Sequence, residues 1–312
     1  MTIQKEIKAL KEKHNALILA HYYEDGDIQD IADFVGDSLS LAQEGQKSDK
    51  PVVLMAGVVF MAESVKLLSP EKIVLAPDMN AGCSLVEHSP YDKFKKWRES
   101  FPDAICVTYV NSSADVKSLS DIVCTSTNAE QIINSVPKDK QILFAPDKNL
   151  GGWLSRKLKR EMTLWPGACE VHVLFSAKKL HTLKLEHPDA IVIAHPECME
   201  EVLQYADVIG STSRLLKEVK DNPSKKFIVA TEAGIFHEMQ KVNPTATLIQ
   251  APAEGSCACN ECPYMKLNTL EKIKNALETL SPRIEIDKKL MDRARLPLDR
   301  MMAVTAGESV TF

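Results

Sequence analysis

The sequence predicts an α/β protein of three small, similar domains with parallel sheets, closing around one central site. Three observations carry that expectation. Apolar runs open three segments in the same way: ALILAHYY at 16–23, AICVTYVN at 104–111 and AIVIAHPE at 190–197. With His21, Tyr109 and His195 in register, the segments recur about every 87 residues, too long for a solenoid repeat of roughly 20–50 residues. Columns of similar residues hold the register: Tyr23, Asn111 and Glu197 two residues on, Asp33, Asp121 and Asp207 twelve on, Ser38, Ser126 and Thr212 seventeen on.

Each repeat begins as a strand, because a short continuous apolar run suits a strand buried on both faces. A polar loop and a helical pattern follow. Ile28, Ile31, Ala32 and Val35 mark it first, then Val116, Leu119, Ile122 and Val123, then Met199, Val202, Leu203 and Ala206, with Asp27 and Ser113 as helix caps. Short apolar steps before Ser38, Ser126 and Thr212 read as second strands. Alternation of strand and helix argues for parallel sheets with ligands at the carboxyl ends of strands, where the repeated polar residues are expected to fall.

The first and third repeats match further. Residues 55–62 and 231–237 read as strand, glycine-containing loop and helix, followed by apolar steps into Ala-Pro at 76–77 and 251–252. The second repeat reaches its Ala-Pro early, at 145–146, and reads as carrying an insertion at 151–159. The expected division is 16–100, 101–186 and 187–279, with 1–15 and about 280–312 packing on the first unit.

Composition narrows the function. A formal net charge of −5 with no Lys/Arg run interleaved with aromatics argues against nucleic acid. No apolar run reaches membrane-spanning length and no signal region opens the chain, so a cytoplasmic protein is expected. Its eight cysteines then read as thiols for metal or redox work. Neither GxxxxGK[ST] nor GxGxxG occurs, so a phosphate-bearing ligand must be held by turn amides and hydroxyls.

One glycine-preceded cysteine per repeat lies beyond an Ala-Pro strand: Cys83, Cys169 and a member of the group Cys257, Cys259 and Cys262. Spacing from the His/Tyr/His column favours Cys257. Spacing to the next helix start favours Cys262, because Cys83, Cys169 and Cys262 each stand seven residues before Pro90, Ser176 and Thr269. The upstream loop varies more in length, so the downstream spacing weighs more. Three thiolates are one short of a full zinc or [4Fe–4S] site, and a cluster so held leaves one iron open as a Lewis acid. Cys106 and Cys124 read as core; Cys198 lies beside Glu197 in a candidate active-site loop.

With these residues in hand, the chain resembles the quinolinate synthase family along nearly its whole length. The motifs are Ala-His-Tyr-Tyr (20–23), Asp-Ser-Leu (37–39), 57–63, Thr-Tyr-Val-Asn (108–111) and Cys-Thr-Ser (124–126). They continue through 166–172, His-Pro-Glu (195–197), Gly-Ser-Thr (210–212) and Cys-Pro-Tyr-Met (262–265). The resemblance implies three pseudo-threefold-related, Rossmann-like αβα units around a central iron–sulfur site, and condensation of iminoaspartate with dihydroxyacetone phosphate to quinolinate, with loss of two waters and phosphate. It implies a [4Fe–4S] cluster on Cys83, Cys169 and Cys262, with Cys257 or Cys259 as weaker alternatives to the last. It implies substrate binding by His21, Ser38, Asn111, Ser126 and Thr212, and catalysis by Tyr23, Tyr109, Glu197, His195 and His172. An L-aspartate oxidase or aspartate dehydrogenase is the implied transient partner. The competing readings are an iron–sulfur redox or sensor protein, which would want four cysteine ligands, and a zinc-stabilised scaffold or sugar-phosphate enzyme.

Overall fold

The structure, a computed structural model, describes residues 2–255 and 260–312. It contains three four-stranded parallel sheets. The first holds β1 (Ala16–His21), β2 (Phe34–Gly36), β3 (Val52–Ala56) and β4 (Ile73–Leu75). The second holds β5 (Ile105–Tyr109), β6 (Ile122–Cys124), β7 (Ile142–Ala145) and β8 (Thr163–Leu164). The third holds β9 (Ile191–Ala194), β10 (Val208–Ile209), β11 (Lys226–Ala230) and β12 (Thr247–Gln250). Each sheet has the same order, with its first strand between the second and third: β2-β1-β3-β4, β6-β5-β7-β8 and β10-β9-β11-β12. That order reverses between the first and third strands, and the crevice at their carboxyl ends is where such sheets bind ligands. The central strands β1, β3, β5 and β7 are buried along their whole length, and β9 and β11 are buried beyond their first residue. Among the described residues, no helix is long and apolar enough to cross a membrane.

The Asp33/Asp121/Asp207 column belongs to the frame and not to the site. Each aspartate stands just before a second strand, at its amino end, contrary to the expectation that all repeated polar residues crown the carboxyl ends. Each carboxylate accepts the amide of a first-strand residue: Ile18 at 2.9 Å, Cys106 at 2.7 Å and Val192 at 2.8 Å. Each aspartate N–H donates back to that residue's carbonyl, and Lys11, Arg98 or Lys184 from the preceding helix pairs with the carboxylate.

Several sequence expectations are corrected. The helices after the first strands are short, Gly26–Ile31, Ala114–Lys117 and Glu200–Leu203, so Val35, Ile122 and Val123 lie in second strands instead. An aspartate ends each of these loops, Asp33, Asp121 and Asp207, joined in the second unit by Ser118 and Ser120, and such residues favour turns over helix interiors. Ser113 does cap its helix, accepting from Val116 N, whereas Asp27 lies in the first turn and Asp25 holds the N-cap position. The second unit carries no insertion. β7 pairs directly with β5, as β3 does with β1 and β11 with β9, so residues 148–158 form the helix equivalent to Val59–Leu68. The fourth strand, β8, is only two half-buried residues, and it left no apolar run to read.

Asp37 joins the units. Its Oδ1 accepts its own helix's Ser40 N at 2.9 Å, and its Oδ2 accepts Thr127 Oγ1 from the second unit at 2.6 Å and Ser213 Oγ from the third at 2.7 Å. Burial opposes charge there, yet these donors outweigh it and hold the carboxyl below its ordinary range. At the termini, Ile3–His14 packs against Leu270–Thr279 beside the first sheet. The last helix, Lys288–Thr305, packs on the first and second units together: Arg300 donates to the Asp121 carbonyl at 2.7 Å.

Candidate active site

The carboxyl ends of the first strands of all three sheets, and the turns after the second strands, face one cavity with about 70 Å³ of open space. β1 delivers His21 and the turn after it Tyr23; β5 delivers Tyr109 and the loop after it Asn111; the turn after β9 delivers His195 and Glu197. Ser38 and Thr212 begin the helices after the second strands, and Ser126 lies in the corresponding turn of the second unit. Leading helix amides have no partner within their own helix, so these turns offer N–H groups to an anion. Among the described residues, no lysine or arginine lines the cavity.

The two histidines of the column are held alike. His21 Nδ1 accepts Tyr23 N at 3.2 Å, and His195 Nδ1 accepts Glu197 N at 3.4 Å. Each ring therefore keeps its proton on Nε2 as a donor. Burial pushes His21 down to about 4 and His195 down to about 3, so both are neutral at pH 7.

His172 anchors a chain of hydrogen bonds. Its Nδ1 stands 2.9 Å from Glu197 Oε2 and 3.2 Å from Cys169 Sγ, and its Nε2 stands 3.0 Å from Thr231 Oγ1. Thr231 Oγ1 lies 2.7 Å from the Tyr23 hydroxyl. With Nδ1–H donating to the carboxylate, the polarity runs from Tyr23 through Thr231 to His172 and Glu197. Burial opposes charge on Glu197, but the hydrogen bonds it accepts from His172 and the Tyr109 hydroxyl offset it and keep its carboxyl below the usual range. Burial, then the Glu197 charge, raise Tyr23 and Tyr109 well above the ordinary phenol range, so both stay protonated. Gly234 allows this approach: a Cβ there would meet the Tyr23 carbonyl carbon and oxygen at 2.7 Å.

Asn111 sits in a loop tied down by buried Lys117, whose Nζ donates to the carbonyls of Val110, at 2.9 Å, and Ser112. Asn111 Oδ1 is buried with no protein partner among the described residues, a cost of roughly 1–3 kcal/mol that a ligand donor would offset.

The cysteine loops repeat at the backbone level. Val59 N donates to Ala81 O at 2.8 Å, Lys148 N to Gly167 O at 2.8 Å, and Ala233 N to Asn260 O at 3.2 Å. Each acceptor stands two residues before a cysteine, so Cys83, Cys169 and Cys262 are equivalent positions. Pro90, Ser176 and Thr269, seven residues beyond, are the N-caps of the following helices. Cys257 and Cys259 lie outside the described residues. Cys169, His172 and Glu197 place one ligand atom each within 4.8 Å of one another. Cys83, Cys169 and Cys262, one thiol from each unit, all line the same cavity, a donor set whose chemistry fits an iron–sulfur cluster.

A model of the quinolinate synthetase A protein family matches residues 5–303. The chain belongs to this family. It is 51% identical to the quinolinate synthase of Prochlorococcus marinus strain MIT 9303, over 95% of this chain and 89% of that one. The quinolinate synthases of Nostoc punctiforme and Chloroherpeton thalassium are each 50% identical over 96% of this chain and cover 92% and 94% of their own lengths. The chain is an enzyme of the quinolinate synthase family.

All the site residues expected from the sequence line the one cavity: His21, Tyr23, Ser38, Cys83, Tyr109, Asn111, Ser126, Cys169, His172, His195, Glu197, Thr212 and Cys262. Cys106 and Cys124 are core, and Cys198 is buried with its thiol donating to the Ala230 carbonyl at 3.3 Å. Sequence reasoning missed Thr231 and Asp37. Asp37 was visible only as part of Asp-Ser-Leu, and Thr231 shares its column with Gly57 and Pro146, so no repeated chemistry marked it.

Proposed function

We propose that this enzyme, acting in NAD biosynthesis, condenses iminoaspartate with dihydroxyacetone phosphate to give quinolinate, two waters and phosphate. The observation that carries this reading is the convergence of one equivalent cysteine from each unit with a hydrogen-bonded proton chain in one cavity. Cys83, Cys169 and Cys262 would hold a [4Fe–4S] cluster. When bound, it supplies a Lewis-acidic iron for loss of a substrate hydroxyl.

The residues divide the remaining work. Ser38, Ser126 and Thr212, with the adjoining turn amides, hold carboxylate and phosphate oxygens without a cationic side chain. His21 and His195 donate from Nε2 as neutral imidazoles, and Asn111 orients a substrate carbonyl or donor. Tyr23 passes a proton through Thr231 to His172, where the Glu197 carboxylate stabilises the imidazolium, by the logic of a hydroxyl–imidazole–carboxylate triad. Tyr109, kept protonated, serves as an acid. The working units are 16–100, 101–186 and 187–279. Iminoaspartate comes from an L-aspartate oxidase or aspartate dehydrogenase in the same cytoplasm.

Anaerobic purification tests the reading. The expected result is a brown protein with about four irons and four sulfides per chain, forming quinolinate from dihydroxyacetone phosphate and enzymatically generated iminoaspartate. A colourless protein whose only tight metal is one zinc, on Cys169, His172 and Glu197, would sink it. A four-iron protein with no synthase activity would restore the redox or sensor reading.

A further inference from the structure

Two buried carboxylates beside the cysteines take no part in the proton chain. Asp147 and Glu232 are both 0% exposed. They are equivalent: each stands two residues beyond the end of a third strand, Ala145 of β7 and Ala230 of β11. Asp147 Oδ2 accepts the Cys169 amide at 3.1 Å, and its Oδ1 accepts Leu150 N at 2.7 Å. Glu232 Oε1 accepts the Cys262 amide at 3.1 Å, and its Oε2 accepts Gly234 N at 2.6 Å. Each therefore fastens a cysteine's own N–H to the start of the helical segment after the third strand. The first unit places Val58 in this position.

The comparison within the chain shows what the carboxylates add. All three units share the backbone bond from the next residue to the carbonyl two before the cysteine, 2.8 Å in the first unit. That bond suffices to close the first unit's loop, so loop closure does not require a carboxylate. Burying one costs several kcal/mol unless its oxygens are matched by donors. Here both oxygens are matched, and one donor in each case is the cysteine itself. Glu232 also lies 3.8 Å from Lys266 Nζ, which donates to the Tyr23 carbonyl at 3.2 Å. The Cys262 loop is thereby tied to the turn that carries Tyr23.

We propose that Asp147 and Glu232 are positioning residues for the cluster, fixing Cys169 and Cys262 through their backbone amides while Cys83 is held by the loop alone. This rests on the cluster reading above. Partners of this kind typically change metal affinity by about 10–100-fold.

The test reconstitutes the wild type, Asp147→Asn and Glu232→Gln anaerobically and follows decay of the iron–sulfur absorption under excess ferrous chelator. Each variant keeps the side-chain shape but loses one of two acceptors, and is expected to release iron about 10–100-fold faster. The electron paramagnetic resonance spectrum of the reduced cluster should also change, which a general loss of fold stability would not cause. A second measurement needs no variant: in cluster-free wild type labelled with 15N-cysteine, the Cys169 and Cys262 amides should exchange with solvent more slowly than that of Cys83. A wild type that holds a cluster while both variants release it at the wild-type rate overturns the inference and leaves the cluster reading standing. Exchange at Cys169 and Cys262 as fast as at Cys83 overturns it too. A wild type that takes up no cluster overturns both.

Discussion

Replacing Thr231 with valine removes one hydroxyl and keeps the side-chain shape. Thr231 is fully buried and bridges the Tyr23 hydroxyl, at 2.7 Å, and His172 Nε2, at 3.0 Å. Two buried polar groups would each lose a partner, at about 1–3 kcal/mol apiece, so folding stability should fall by about 2–6 kcal/mol. The kinetic effect is separate. A positioned acid–base group contributes about 10²–10⁴ in rate, or roughly 3–5 kcal/mol of barrier. Cutting the chain at Thr231 isolates Tyr23 from His172 and should lower kcat by that order. KM should change little, because Thr231 is not among the side chains lining the cavity. The assay is steady-state quinolinate formation normalised to iron and sulfide content, beside Thr231→Ser, which restores the hydroxyl and should recover most of the rate. A cluster-loaded Thr231→Val enzyme with kcat within about threefold of wild type would remove the relay from the mechanism.

Three further outcomes are expected. Asp37→Ala strips the acceptor from Ser40, Thr127 and Ser213 and should cost about 3–5 kcal/mol in urea unfolding of the cluster-free protein, with Asp37→Asn intermediate; equal stability of Asp37→Ala and wild type would show the junction to be incidental. Burial pushes Glu24 up to about 8 against an ordinary value near 4.3, so the folded state binds that proton more tightly than the unfolded chain. Its stabilising contribution is therefore present at low pH and lost as pH rises through 8. The melting temperature of the cluster-free protein should be lower at pH 8.5 than at pH 6, with a smaller difference in Glu24→Gln. Finally, Cys83→Ala, Cys169→Ala and Cys262→Ala should each abolish the cluster while Cys257→Ala and Cys259→Ala retain it, read from iron content; loss on Cys257→Ala with retention in Cys262→Ala would reverse the assignment.

The parts legible in the sequence were those with a continuous local signal. Strands buried on both faces read as apolar runs, and one-per-repeat columns at constant spacing revealed three units. Short signals failed where no repeated column marked them: β10 is as short as β8 but was legible because it stands before the Thr212 column. β8 is two half-buried residues, and its absence from the pattern made the helix at 148–158 look like an insertion. The single-turn helices merged with the strands after them. Pairings across the fold were invisible for a different reason: Tyr23 and Thr231 are 208 residues apart, and nothing in either neighbourhood specifies the other. The same holds for Asp147 with Cys169, whose contact depends on the loop closing as it does in the other two units.

Charged columns show where the repeats can stay identical. The charged column that is identical in all three units, Asp33/Asp121/Asp207, is structural: each copy locks its own first strand and has its own basic partner. Columns that face the common centre cannot repeat a charge so freely. Asp37 shows why, since Thr127 and Ser213 both reach it and its column is completed by Thr125 and Ser211. Three aspartates at that point would set like charges against one another in a buried space, with too few donors to match them. Convergence itself therefore forces the polar groups near the centre to differ. That difference gives the cavity a Tyr23–Thr231–His172 chain on one side and the neutral Asn111 amide on another. A variant that restores symmetry, such as Ser211→Asp, should then destabilise the junction more than any single truncation within it.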